Sequence, residues 1–132
     1  MDGVRRASPV AVVILDLFLP GALSNPLNGS HRHWSVRARW AKTWRTKAHL
    51  LVGAARGARG FDPATPKIIR FVANLWNLMD EDGLRASLKP TLDGLRDAGV
   101  IHSDGPNSGH LFVYGQRIDR AQRGVRILVE SR

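Results

Sequence analysis

Three carboxylates stand side by side in a chain whose formal net charge is +9. They are Asp80, Glu81 and Asp82, in the stretch MDEDGLRASLK. If the backbone is extended here, alternate side chains leave it on opposite faces, so Asp80 and Asp82 converge while Glu81 points away. Two close carboxylates repel each other unless a cation neutralises them, and their hard oxygen atoms favour Mg²⁺ or Mn²⁺. The pair therefore predicts a divalent-metal site, with a simple helix cap at Glu81 or Asp82 as the alternative.

Two charged residues further along the chain support the metal hypothesis. Lys89 lies seven residues after Asp82, and this spacing returns it to the same helical face unless Pro90 turns it away. Asp104 follows in the stretch AGVIHSDGP, where a loop could bring its carboxylate back toward Asp80 and Asp82. The acidic pair would then have a cation and a third carboxylate beside it.

The hydrophobic pattern predicts the elements that must position these residues. They are a largely buried strand over residues 10–17, a helix that begins near Trp34, a strand over 67–80, a helix from Leu84 to a stop at Gly99, and strands over 110–118 and 124–130. A proline inside a helix removes one backbone hydrogen bond, so we expect Pro90 to kink the second helix or to begin a further short one. The order of elements indicates an α+β (mixed α/β) fold.

The bulk composition is that of one globular domain over residues 1–132. The chain has no Cys, which excludes disulfides, thiolate metal sites and cysteine nucleophiles and favours the cytoplasm. The N-terminal stretch RRASPVAVVILDLFLPGALS has the order of a secretory signal, but Asp16 interrupts its apolar run. The run is also shorter than the about 20 residues that span a bilayer. We therefore expect a strand here, with no signal and no membrane segment.

Positive charge is concentrated between Leu17 and Phe61, where the chain has no acidic residue and eight Lys and Arg residues. On a helix, one apolar stripe would face the core, formed by Val36, Trp40, Trp44, Ala48, Leu51 and Ala55. The alternative for the opposite side is an ordinary solvated face, but its charge has one sign only. That pattern predicts contact with the phosphates of a nucleic acid. The candidate DNA-binding residues are Arg32, Arg39, Lys42, Arg45, His49 and Arg56.

Aromatic and histidine residues in the same region have simpler interpretations. The helical spacing of Trp40 and Trp44 is typical of core residues, which leaves Trp34 as the candidate for stacking on a base. We do not expect His31 and His33 to form a metal site, because no third ligand stands at a recognisable spacing.

The acidic segment resembles the RusA-like Holliday-junction resolvases, small endonucleases common in phages and prophages. Its sequence DEDGLRASLKPTLDGLRDAGVIHSD, Asp80 to Asp104, follows the family's order of two acids, a lysine, D-x-L, A-G and a final acid. The upstream stretch NPLNGSHRHWSVRARWAKTWR is similar to the Asn-rich loop and basic helix of actinobacterial and phage members. Together the two stretches cover about half of the chain.

The resemblance implies a RusA-like fold and a Mg²⁺-dependent endodeoxyribonuclease, with Mn²⁺ as a possible substitute, that resolves Holliday junctions and other branched DNA in recombination and repair. It implies that Asp80, Asp82 and Asp104 bind the metal and that Lys89 is the catalytic cation. It also implies a homodimer whose two active sites cut opposing strands.

Three departures from the family pattern leave alternatives open. Gly83 stands where the family has Asn, Ser103 stands where it has a further acid, and Lys89 lies about one helical turn further from Asp82. One alternative is a DNA-binding protein of the same fold whose catalysis is lost. The other is an unrelated basic interaction module, such as one that binds RNA, whose DEDG stretch only caps a helix.

Overall fold

Four strands and two helices make up the described part of the chain, which is residues 12–25, 34–56 and 62–132 of a computed structural model. In chain order they are β1 (Val13–Pro20), α1 (Trp34–Arg56), β2 (Lys67–Leu75), α2 (Glu81–Asp97), β3 (Leu111–Ile118) and β4 (Gly124–Ser131). The predicted α+β class and the predicted order of elements are confirmed.

The strands form one mixed sheet in the order β1-β4-β2-β3. β2 and β3 are parallel, with Phe71 opposite Tyr114, and α2 makes the crossover between them. β4 is antiparallel to both β1 and β2. Although β3 and β4 follow each other in sequence, β2 lies between them, so residues 119–123 cross over the carboxyl end of β2.

Alternation along the strands separates a buried face from an outer one. On β2, Ile69 and Phe71 are buried, and on β4 Ile127 is buried; all three belong to a core cluster that also contains residues of both helices. Strand positions of the opposite parity include the exposed Arg70 of β2 and Arg126 of β4, and Arg126 forms a bidentate ion pair with Asp16 of β1. The Asp16 that interrupts the apolar run therefore fits an edge strand.

The first helix packs on the second through a position where only glycine fits. A Cβ atom at Gly94 of α2 would lie 2.5 Å from the Cβ of Ala48 and 2.6 Å from the carbonyl oxygen of Arg45, both in α1. Of the predicted apolar stripe, Trp44 and Ala48 are buried and Trp40 is partly buried. The remaining three positions, Val36, Leu51 and Ala55, are exposed, and Val52 is buried in their place.

At Pro90 we expected either a kink or the start of a further short helix. The helix runs without a break from Glu81 to Asp97, so the second of these outcomes does not occur. A proline inside a helix costs about 3 kcal/mol, but each fully buried leucine contributes about 1.5–3 kcal/mol. Four leucines of α2 are buried, namely Leu84, Leu88, Leu92 and Leu95. Their burial outweighs the cost of Pro90, and Gly99, at φ +78°, provides the predicted stop.

The observed bounds of β1 and β2 differ from the predicted ones. β1 begins at Val13 and ends at Pro20, and residue 10, where the strand was predicted to begin, lies outside the described residues. β2 ends at Leu75, five residues before the predicted end at Asp80. No helix in the described part of the chain is long and apolar enough to cross a membrane.

Candidate functional site

Residues 76–80 connect the end of β2 to the start of α2, and a side chain from β3 holds this connection in place. The amide of Gln116 accepts a hydrogen bond from the backbone N–H of Met79 and donates one to its carbonyl oxygen, both at 2.8 Å. The paired bonds fix the backbone directly before Asp80. Nothing in the sequence signals this role of Gln116, because it depends on β3 lying beside β2.

Asp80 is the N-cap of α2. Its backbone is extended, at φ −66° and ψ 166°, and its Oδ1 accepts a hydrogen bond from the N–H of Gly83 at 3.0 Å. Glu81 and Asp82 lie in the first helical turn, where the positive end of the helix dipole stabilises acidic side chains. The predicted convergence of Asp80 and Asp82 on one face of a strand is therefore wrong, because the strand has already ended. The alternative that this acidic stretch caps a helix is correct, but the capping residue is Asp80 and not Glu81 or Asp82.

Gly83 leaves room for a side chain from another part of the chain. A Cβ atom at this position would collide with the Asn25 side-chain amide and with Asp80 Oδ1. The Asn25 amide thus occupies the space beside residue 83, and its Nδ2 lies 3.5 Å from Asp80 Oδ1. The family pattern has Asn at the position of Gly83. In this chain the side chain of Asn25, from the segment after β1, lies next to Asp80 instead.

Lys89 and Asp104 are in direct contact. The Lys89 ammonium donates a hydrogen bond to Asp104 Oδ2 and another to Asp93 Oδ1 at 3.0 Å. Arg96 Nη1 lies 3.8 Å from the other Asp104 oxygen, so this carboxylate has two cations beside it. The hydrogen bond from Lys89 lowers the pKa of Asp104 below its usual value. Burial alone would lower the pKa of Lys89, but its bonds to Asp104 and Asp93 outweigh burial and raise it.

Ser103 also has a structural role in this loop. Its Oγ accepts a hydrogen bond from the N–H of Gly105 at 3.1 Å, across Asp104. The residue that replaces an acid in the family pattern therefore shapes the turn that presents Asp104.

The predicted three-carboxylate metal site does not form among the described residues. Asp104 is held at Lys89, which lies about 10 Å further along the helix axis than Asp82. Accordingly, no group of three or more His, Cys, Asp or Glu side chains in the described residues is placed to hold a metal ion. Carboxylate oxygens are the donors that Mg²⁺ prefers, so the donor type fits the ion, but the grouping does not.

A pocket lies where the first turns of α2 face β3. Its volume is about 430 Å³, and Glu81, Arg85, Tyr114 and Gln116 contribute its polar side chains. The Tyr114 ring stacks on Phe71 at 5.5 Å between centroids, and the Arg85 guanidinium lies 5.3 Å from the Tyr114 centroid. Burial raises the pKa of Tyr114. Sequence reasoning missed both Arg85 as a neighbour of this pocket and Tyr114, because their contact depends on the packing of α2 against β3.

The basic residues of α1 differ in whether they form an ion pair with another described residue. Arg39 and Lys42 are exposed and form no ion pair with any described residue, and they line a shallow groove of about 400 Å³ with Lys47. Arg45, in contrast, forms a bidentate ion pair with Asp97 of α2, at 2.6 and 2.9 Å. This pair lowers the pKa of Asp97. Within α1 this face carries charge of one sign only, but in the folded protein Asp97 of α2 lies beside it.

The other predicted DNA-binding residues are placed as follows. His49 is exposed on α1. Arg56 is the last residue of α1, and its side chain lies outside the described part. Arg32 lies outside the described residues, as do His31 and His33. Trp34 begins α1 and is exposed.

No protein-family model matches the chain, and no curated protein is significantly similar to it.

Proposed function

We propose that this protein binds branched DNA and cleaves it as a structure-selective endodeoxyribonuclease, in the manner of the RusA-like resolvases that its acidic segment resembles. The observation that carries the proposal is the contact between Lys89 and Asp104, which are separated by fourteen residues. The motif predicts that these two residues belong to one site, together with Asp80 and Asp82. Recombination and repair of DNA would be the setting, and the partner would be a four-way junction or a similar branch.

Binding would rest on the outer face of α1. Arg39 and Lys42 point into solvent without an acidic partner among the described residues, so their charges are available to phosphates. Such contacts position a protein on DNA without reading its sequence. Because a resolvase must cut two opposing strands, we include a homodimer in the proposal.

Cleavage would rest on the exposed charged face of α2. Asp82 and Lys89 lie within about 20° of each other around the helix axis at 3.6 residues per turn. The Lys89 ammonium could stabilise the negative charge that develops on a phosphate. The proposal includes Mg²⁺ or Mn²⁺ as the cofactor. Because the three-carboxylate grouping is not present in this arrangement, we assign the ion no coordination and no step.

The second candidate is a DNA-binding protein without catalysis. Two observations favour it: Asp104 already has Lys89 and Arg96 as partners, and Asp80 is engaged as the helix cap. In this candidate the acidic segment stabilises α2, and only α1 contacts DNA.

A single assay separates the two. The protein is incubated with an end-labelled four-way junction and with a linear duplex of the same arm sequence, in Mg²⁺, in Mn²⁺ and in EDTA. Cleavage is followed on denaturing gels and binding by mobility shift in EDTA. Junction cleavage that needs a divalent ion supports the endonuclease. Junction binding with no cleavage in either ion supports the second candidate, and failure to bind either DNA overturns both.

A further inference from the structure

The chain segment that crosses over the end of β2 carries two arginines, Arg120 and Arg123, beside an exposed tryptophan, and a third, Arg117, lies near the end of β3. Trp76 directly follows β2 and is 53% exposed. The Arg120 guanidinium carbon lies 4.9 Å from the Trp76 ring centroid, and that of Arg123 lies 5.8 Å from it. Arg120 also donates a hydrogen bond from Nε to the carbonyl oxygen of Trp76 at 3.2 Å. We call Trp76, Arg117, Arg120 and Arg123 the crossover patch.

A buried amide makes the crossover patch rigid. Asn74 of β2 is 3% exposed; its Nδ2 donates to the carbonyl oxygen of Gln122 at 3.0 Å, and its Oδ1 accepts from Nε of Arg117 at 2.8 Å. The carboxylate of Asp119 accepts the N–H groups of Ala121 and Gln122, at 3.1 and 3.0 Å. Asn74 of β2 thus holds both the crossing segment at Gln122 and the side chain of Arg117, and the hydrogen bond to the Trp76 carbonyl oxygen holds Arg120.

The charge of the patch is not neutralised within it. Among the described residues, the guanidinium groups of Arg120 and Arg123 form no ion pair, and Arg117 has only Asp119, at 3.9 Å. An arginine that lies over an aromatic ring still directs its N–H groups outward, where they can bind phosphate oxygens. The exposed part of the Trp76 ring offers a surface on which a base can stack.

We propose that the crossover patch binds an unpaired nucleotide, with Trp76 stacking on the base and Arg120 and Arg123 holding the adjacent phosphates. A base inside a duplex already stacks on its neighbours, so an aromatic surface selects bases that are free of the duplex. The inference rests on the proposed function in one respect, that the partner is a nucleic acid. It adds that the protein recognises the unpaired nucleotides of a branched substrate.

The position of the patch agrees with this role. Trp76 and Asp80 are the two ends of the connection between β2 and α2, and four residues of chain span at most about 14 Å. In sheets with parallel strands, ligands bind beyond the carboxyl ends of the strands. Trp76 at the end of β2 and Arg117 near the end of β3 are both at that edge.

The test compares two single strands that differ only in their bases. One is a fluorescein-labelled oligothymidylate of twenty nucleotides, and the other is an abasic strand of the same length and charge. Binding of the full chain is measured by anisotropy in EDTA over a range of NaCl concentrations. We expect the wild type to bind oligothymidylate about 10-fold more tightly than the abasic strand, the scale of one base stacked on one aromatic ring.

Two substitutions separate stacking from charge. Trp76→Ala should remove the preference for oligothymidylate, and Trp76→Phe should keep part of it. The double variant Arg120→Gln with Arg123→Gln should weaken binding to both strands and reduce the slope of log K against log salt by about 1.4, since each lost phosphate contact on a single strand contributes about 0.7. The control is the double variant Arg70→Gln with Arg132→Gln, which removes the same number of charges outside the patch. Arg70 pairs with Glu130, and Arg132 lies at the other end of β2.

The outcomes distinguish this inference from the proposed function. If Trp76→Ala keeps the wild-type preference for oligothymidylate while its circular dichroism spectrum is unchanged, the stacking role is wrong, although duplex and junction binding can still stand. If the control double variant lowers the salt slope as much as the patch variant does, the patch has no specific role. If the wild type binds neither single strands nor junctions, both the inference and the proposed function fail.

Discussion

Lys89 and Asp104 form an ion pair that joins the middle of α2 to the loop that follows it. The pair is partly exposed, with 52% of the Lys89 side chain and 24% of the Asp104 side chain accessible to solvent. Exposed ion pairs contribute about 0–1 kcal/mol to stability. Folding alone gives little reason for this contact, which makes a functional test of Lys89 informative.

Lys89→Ala should lower the rate of junction cleavage by about 10²–10³-fold, the scale seen when one preorganised electrostatic group is removed. Affinity for the junction in EDTA should change little, because α1 supplies the proposed phosphate contacts. Lys89→Arg should restore activity only in part, since a planar fork does not replace a compact ammonium. Single-turnover cleavage on denaturing gels measures the rate.

Arg96→Ala is the matched control for Lys89. It removes a second cation from the same carboxylate, at 3.8 Å from Asp104 Oδ1. If both alanine variants slow cleavage equally, the effect of Lys89 is one of local charge only. If Lys89→Ala cleaves as fast as the wild type, Lys89 has no role in the reaction.

Asp82→Asn should abolish cleavage and leave junction binding intact or tighter, because the change removes a proposed catalytic carboxylate and its repulsion toward phosphate. Glu81→Gln should change the rate little. On the helix Glu81 lies about 80° from Lys89, whereas Asp82 lies about 20° from it, and Glu81 pairs with Arg85 at 3.3 Å on the surface. Both variants are compared in cleavage and in mobility-shift assays. If both variants lose cleavage to the same extent, Asp82 has no role that Glu81 does not share.

Some parts of the site could be predicted from local pattern and others could not. Helical spacing and a short loop predicted that Lys89 and Asp104 belong to one site, but they placed that site at Asp80 and Asp82, whereas the two residues meet further along α2. The end of β2 was not predictable, because Trp76, Leu78 and Met79 continue an apolar run that reads as a strand. The chain has left the sheet by Met79, where Gln116 of the neighbouring strand binds both backbone groups, and this contact depends on how the strands pack.

The basic face of α1 illustrates the same limit. Its helix, its start at Trp34 and its buried Trp44 and Ala48 followed from periodicity. The ion pair of Arg45 with Asp97 did not, since it depends on the close approach of the two helices at Gly94. Residues distant in sequence decided which cations stay free.

Arg39→Gln combined with Lys42→Gln should therefore weaken binding to junction and duplex alike and flatten the salt dependence, because two phosphate contacts are lost. Arg45→Gln should act differently. It leaves Asp97 without its partner and should mainly lower stability, with a smaller effect on the salt slope. Mobility shifts at several salt concentrations measure the effects on DNA binding, and urea unfolding measures the effects on stability. If Arg39→Gln with Lys42→Gln leaves the salt slope unchanged, this face of α1 does not contact DNA phosphates.

Gly94→Ala should destabilise the protein by about 1–3 kcal/mol, the usual cost of overpacking, because its Cβ would lie 2.5 Å from Ala48. Gly53 offers a matched control within α1. A Cβ there meets nothing within 4 Å, so Gly53→Ala should stabilise the protein by about 0.5–1 kcal/mol through the better helix propensity of alanine. Urea unfolding measures both. Equal effects of the two changes would show that α1 and α2 are not in the close contact described.

The last prediction concerns His110, at the start of β3, where stability should depend on pH. His110 is 8% exposed; its Nδ1 accepts the N–H of Lys67 at 3.2 Å, and its Nε2 lies 3.3 Å from Nδ1 of His102. Burial lowers the pKa of His110, and the neighbouring charges of Lys67, His102 and Arg132 lower it further, against a smaller opposite effect of the Pro63 carbonyl.

The sign follows from comparing the folded and unfolded chains. An unfolded histidine has a pKa of about 6.5, above that of folded His110, so the unfolded chain binds the proton more readily. Stability due to neutral His110 is therefore complete above about pH 6.5 and is lost as the pH falls toward the folded-state pKa, with a slope of at most about 1.4 kcal/mol per pH unit. His110→Asn retains an acceptor for Lys67 and should remove this slope, whereas His49→Gln, on the exposed face of α1, should keep it. Urea unfolding between pH 5 and 8 tests the prediction, and a wild-type slope retained in His110→Asn would assign the pH dependence to another group.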